Sequence, residues 1–183
     1  MKKFMVLLLM AALALQTAAC GNQAPASTEN ESGQAGVPEF DSTEDIINKI
    51  YEIKPVDLNM GNIPVDLTDE NSLLAYTGLT PEDADKLVEA TASEPMMGQA
   101  CSIVVAEVNH AGDAPELAQK MADQIDQRKW VCMEADNLRV VTCDRYVLLV
   151  MVMSDLADTV TVDEIVDAFT EVCGYTDGEY EKQ

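Results

Sequence analysis

The chain is poor in positive charge and in histidine: 11 Lys and Arg stand against 33 Asp and Glu, and His110 is the one imidazole in 183 residues. The shortage of cations excludes nucleic acid as a partner, because phosphate recognition needs clustered Lys and Arg that displace counterions. It argues equally against adsorption to anionic lipid by charge alone. A single histidine restricts any catalytic triad or dyad to His110, which lies in Asn109-His110-Ala111-Gly112, a loop sequence between a strand and a helix. No G-x-S-x-G, H-E-x-x-H, Walker or S-x-x-K sequence occurs. No residue is therefore assigned a catalytic role, no cofactor is expected, and the enzyme question leans to no. Paired carboxylates, as in glycoside hydrolysis, stay open as an alternative, since sequence does not measure their separation.

A long apolar run is also missing. Lys2 and Lys3 precede twelve apolar residues, Phe4 to Leu15, followed by Gln16, Thr17, Ala18, Ala19 and Cys20. A spanning helix needs about 20 apolar residues, whereas this graded layout is that of a signal peptide over residues 1–19. Ala18-Ala19-Cys20 resembles the lipobox of bacterial lipoproteins, in which the cysteine thiol receives diacylglycerol and becomes the new N-terminus. Thr17 stands where such boxes most often carry Leu, and cleavage after an Ala-x-Ala-like site without lipidation is the rival reading. Cys20 is the expected lipidation site. Two chains of the palmitate class would hold the protein on the extracytoplasmic face of the cell membrane, since one alone binds marginally.

Cleavage would leave 9 basic and 33 acidic residues, formally −24. The plain reading of that charge is a solvated, self-repelling surface. Residues 20–40 (CGNQAPASTENESGQAGVPEF) are rich in small and polar residues and read as a disordered tether, spanning roughly 25 Å root mean square as a flexible coil. Residues 41–183 form one domain of ordinary size without an internal repeat.

Within that domain Ser42, Thr80, Asp113 and Thr161 each precede an acid by three residues, as in a capping box, and Pro81 and Pro115 fit first turns. Apolar spacing then predicts four helices, the second carried by Ala84, Leu87 and Val88. Strands are expected at Cys101 to Val108, at Leu138 to Cys143 and at Tyr146 to Met153, the last two paired across Asp144-Arg145. Residues 55–79 read mostly as loop, with a short strand near Leu73 to Tyr76. The fold class is α+β, an antiparallel or mixed sheet packed by about four helices.

A helix closing on Arg128, a short extended strip, a hairpin whose second strand opens with Tyr146-Val147, an acid at Asp155 and a final helix resemble a family of uncharacterised lipoproteins from clostridia and related Firmicutes. That family carries a domain of unknown function. The resemblance covers roughly Ser42 to Val172 and the signal. Family members often place a Gly-containing turn where this chain has Cys143-Asp144-Arg145. The resemblance implies an extracytoplasmic α+β lipoprotein and transfers no functional residue.

Four cysteines remain in the domain, without a C-x-x-C. One histidine is too few for a mixed zinc set, so no metal site is assigned. The thiols read first as small buried hydrophobes; Cys132 and Cys143, flanking an extended excursion, are the candidate disulfide pair. Met96-Met97 and Met151-x-Met153 offer thioethers that suit soft metals, though the second pair falls on the core face of a strand. The acids at Asp66 to Glu70 and Asp155 to Asp163 lack EF-hand spacing, and Trp130 reads as an anchor closing a helix onto the sheet. The expected function is a non-catalytic, membrane-anchored binding domain that meets an envelope protein or a small ligand. An envelope hydrolase is the alternative, and a thiol redox protein a more distant one.

Overall fold

A computed structural model describes Gly36 and residues 39–183, so the signal segment, Cys20 and most of the tether lie outside the described residues. The domain is α+β: a six-stranded sheet, antiparallel at every pairing, with helices on both faces. In chain order the elements are α1 (Thr43–Ile53), β1 (Met60–Pro64), α2 (Glu70–Thr77), α3 (Pro81–Ala84), β2 (Leu87–Pro95), β3 (Cys101–Val108), α4 (Ala114–Gln124), β4 (Asn137–Cys143), β5 (Tyr146–Val152), α5 (Val162–Cys173) and β6 (Gly178–Tyr180). The sheet order is β1-β2-β3-β5-β4-β6. Strands β3 and β5 therefore occupy its middle.

Alternation along the central strands feeds two separate cores. Val147, Leu149 and Met151 of β5 join Val104 and Ala106 of β3 beneath α4, with Leu117 and Met121. Tyr146, Leu148, Val150 and Val152 point the other way, toward Ile46 and Ile50 of α1 and Ile165 and Phe169 of α5. All seven residues of β5 are buried, which explains its unbroken apolar sequence.

Four expectations change. The second helix stops at Ala84, and Leu87 and Val88 open the nine-residue strand β2 instead. Residues 55–79 are not mostly loop: they contain strand β1, and Leu73 to Tyr76 belong to helix α2, whose N-cap Asp69 accepts from the Asn71 and Ser72 amides. Gly78 ends that helix at φ +73°, where a Cβ would lie 2.6 Å from the Ile125 amide nitrogen. Both the left-handed turn and the close approach require glycine. The box expected at Asp113 is absent too, because that residue is itself helical, at φ −87° and ψ −18°, and makes no side-chain cap. Ser42 caps α1, and Thr161 with Glu164 forms the reciprocal box at α5. The hairpin turns at Asp144, φ +53°, where the Asp177 carboxylate accepts from the Asp144 amide at 2.9 Å. That bond supports a non-glycine residue in a strained region.

Asp83 is the buried carboxylate of the helical layer, 3% exposed. Burial pushes its carboxyl upward, but Lys120, 2.6 Å away, and the Thr80 amide and hydroxyl outweigh this and hold it below the usual carboxylate range. A depressed carboxyl contributes stability that is present above its unfolded value, about 4, and is lost as pH falls through the folded value. In urea titrations Asp83→Asn is expected to lower stability at pH 7 and to flatten the loss between about pH 5 and 2. Leu148→Ala and Leu149→Ala, one in each core, are each expected to cost about 2–5 kcal/mol in one cooperative transition. Separate transitions would contradict a shared sheet.

Candidate functional site

The sites proposed from sequence do not converge. Among the described residues all four cysteines are free thiols. Cys132 is exposed, at φ +64° in the loop before β4, while Cys143 is buried at the far end of that strand. Strand β4 alone, six steps from Asn137 to Cys143, spans roughly 20 Å, well beyond the span of about 7 Å that a disulfide tolerates between Cα atoms. The pairing of Cys132 with Cys143 is therefore corrected. His110 is exposed beside a 3₁₀ turn, and no group of three His, Cys, Asp or Glu among the described residues is placed to hold a metal ion. Met151 is core, and Trp130 packs partly buried against the α4 side.

What the structure does bring together lies at the end of the sheet where β2 turns into β3. Strand β2 finishes at Pro95 and β3 begins at Cys101, so Met96 to Ala100 form the tip. Met96 and Met97 are 73% and 72% exposed, and Val131 on the neighbouring loop is 87% exposed. Each side of this tip carries a cleft. On one side a 560 Å³ cleft runs between α1 and the open edge of β1, lined by Glu44, Asn48, Tyr51, Pro55, Val56, Leu58, Asn59, Met60 and Asn62. Asn62 donates to Glu44 at 3.1 Å and to Asn48 at 3.3 Å, which ties the strand edge to the helix. Tyr51 donates to Ser93 at 2.8 Å, and burial pushes its hydroxyl up to about 12, so it stays a neutral donor. Asn59 donates to the Met96 sulfur at 3.5 Å, joining cleft to tip.

On the other side a 280 Å³ cleft is lined by Arg128, Trp130, Cys132, Met133 and Glu134. Next to Arg128 and Trp130 of that lining stands Lys129, in a largely shielded ion pair. The Lys129 ammonium lies 2.5 Å from Glu94, donates to the Ala75 carbonyl at 3.0 Å, and sits over the rings of Tyr76 and Trp130 at 4.9 and 5.1 Å. Glu94 also accepts from Ser102 at 2.7 Å. Burial lowers the Lys129 pKa, against the pull of Glu94. The cation is thus enclosed by aromatic faces, a carbonyl and one carboxylate, and it fixes the 129–135 loop to the last residues of β2.

Chemically, this end of the domain offers hydrogen-bonding amides, thioethers and apolar side chains. Each cleft contains one carboxylate, Glu44 or Glu134, and Glu134 is already paired with Arg128 at 2.8 Å. Neither cleft supplies the two acids that a glycoside-hydrolase site requires. Sequence reading missed β1 and the Lys129 cage; the usable signal was Lys129-Trp130 beside Tyr76, a cation and two aromatics that only the tertiary fold unites. Comparison with protein-family models, curated proteins and solved structures finds no match.

Lys129→Met would leave the largely shielded Glu94 without its countercharge, and is expected to cost on the order of 3 kcal/mol in urea unfolding. Adding Glu94→Gln should recover most of that loss. An unchanged single variant would show that the pair does not hold the loop.

Proposed function

We propose that the chain is a lipid-anchored extracytoplasmic protein whose domain binds a partner protein of the cell envelope without catalysing a reaction. The carrying observation is the exposed tip of Met96, Met97 and Val131 between two clefts. Large apolar side chains clustered in solvent are characteristic of interaction surfaces, and methionine adapts its shape to a partner at little cost. The chemistry-bearing groups support the same reading. The buried Asp83 and the largely shielded Glu94 are consumed by Lys120 and Lys129, and His110 stands alone in solvent.

Anchoring belongs to the proposal through the residues that precede the domain. The short apolar run and Ala18-Ala19-Cys20 support lipidation at Cys20, as does the resemblance to clostridial lipoproteins, which is part of the same reading. Among the described residues no helix is long and apolar enough to cross a membrane. Phe40 packs edge-on against Tyr146 at 5.3 Å between ring centroids. The chain thus enters the domain where β5 begins, whereas the methionine tip lies where β5 ends, beside Val152 and Cys101.

Cys20→Ser should move the protein from the membrane fraction to the medium or leave an uncleaved precursor; unchanged retention with normal processing would refute the anchor. For the contact surface, a photo-crosslinker at position 97 in membrane-bound protein should give a discrete adduct that Val131→Asp abolishes without changing Tm. The same adduct in the Val131→Asp variant would remove the tip from the proposal.

A further inference from the structure

Cys143 and Cys173 are far apart in sequence and adjacent in the fold. Cys143 is the last residue of β4 and Cys173 the last of α5, and both are buried in the core shared with Phe169 and Val141. The chain that leaves α5 is fastened to both neighbours of Cys143. Asp177 donates its amide to the Thr142 carbonyl at 2.9 Å, while its carboxylate accepts from the Thr142 hydroxyl at 2.5 Å and from the Asp144 amide at 2.9 Å. Gly178 then pairs with Thr142 to begin β6. Val141 and Cys143 share one face of β4, the face on which α5 lies. The neighbouring Cys143 thiol together with burial pushes the Cys173 pKa up.

We propose that Cys143 and Cys173 are a covalent modification site, closing a disulfide that pins the end of α5 to the end of β4. The oxidant is a disulfide, of a small thiol or of an oxidoreductase. One cysteine thiolate attacks a sulfur of that disulfide, and the first thiol of the oxidant leaves. The second cysteine thiolate then attacks the mixed disulfide and expels the other thiol. Cys143 and Cys173 are oxidised, the oxidant is reduced to two thiols, and the two cysteine protons end on those products. Because both thiols are buried in the folded domain, the exchange takes place before the α5 end is seated. In the folded protein the bond is sealed from reductant. It is a structural clamp rather than a redox-exchange centre.

Among the described residues the other thiols do not compete by geometry. Cys101 pairs with Val152 at the opposite end of the sheet, and Cys132 lies in the loop beyond that same end.

The full chain, denatured and reduced, would be refolded in a mixture of reduced and oxidised glutathione, alkylated with iodoacetamide and mapped by mass spectrometry without reductant. The expected product is a linked peptide pair carrying Cys143 and Cys173, two hydrogen masses lighter than its separate parts. Heated with dithiothreitol, which reaches the bond once the domain opens, it should melt several degrees lower than without reductant. Cys132→Ser should keep both the link and the shift, and Cys173→Ala should lose both. Should Cys173→Ala fail to fold, the map of the Cys132→Ser variant alone decides. Alkylated Cys143 and Cys173 in that variant, or a link from either to Cys101, would overturn the proposal.

Discussion

Burial of β5 on both faces is the constraint on which the remaining architecture depends. A strand whose seven residues are all shielded from water needs a neighbour on each edge and a helical layer on each side. Strands β3 and β4 supply the edges. Helix α4 covers one face, and α1 with α5 covers the other. The outer strands β1 and β6 can then be short, because they complete hydrogen bonding rather than carry a core.

The charge imbalance is resolved by allocation. Cations from Lys49 to Arg145 stand against carboxylates, and those that reach inward, Lys120 and Lys129, neutralise the two most buried acids they meet. Most remaining acids face water or cap helices, as Asp69 and Glu164 do. A chain this acidic stays folded because its few positive charges are placed where an uncompensated carboxylate would cost most. The Lys129 pair also explains why the 129–135 loop, with its exposed Val131, keeps a defined position.

The α+β class, the three central strands and the first and last helices were legible in the sequence, because capping residues and apolar periodicity agree there. The missed elements are those in which local signals conflict. Strand β1, Met-Gly-Asn-Ile-Pro, contains two residues that normally break strands, and an edge position tolerates both. Leu87 and Val88 fit a continuing helix after Thr80, but tertiary pairing with β3 draws them into β2. In β2 the small side chains Ala90, Ala92 and Ser93 look weak as strand formers; on the face of Thr91 and Ser93 the space is used by Thr43 and Tyr51 of α1, which bond to them. The tip and its clefts were illegible because they join loops that lie more than 30 residues apart in the chain.

The two cores differ in how the chain must be delivered. The α4 side draws its buried residues from Val65 to Met151, a nearly continuous stretch. The α1 and α5 side needs Ile46 from the beginning of the domain and Phe169 from near its end, joined also by the Lys54–Glu164 ion pair at 2.6 Å. A polypeptide emerging amino end first can assemble the former while the latter still gapes. Closure of the second core must wait for the final helix, and until then α1 has only part of its apolar stripe covered. Vectorial emergence thus imposes a schedule on this molecule, in which its first helix is among the last elements to be sealed.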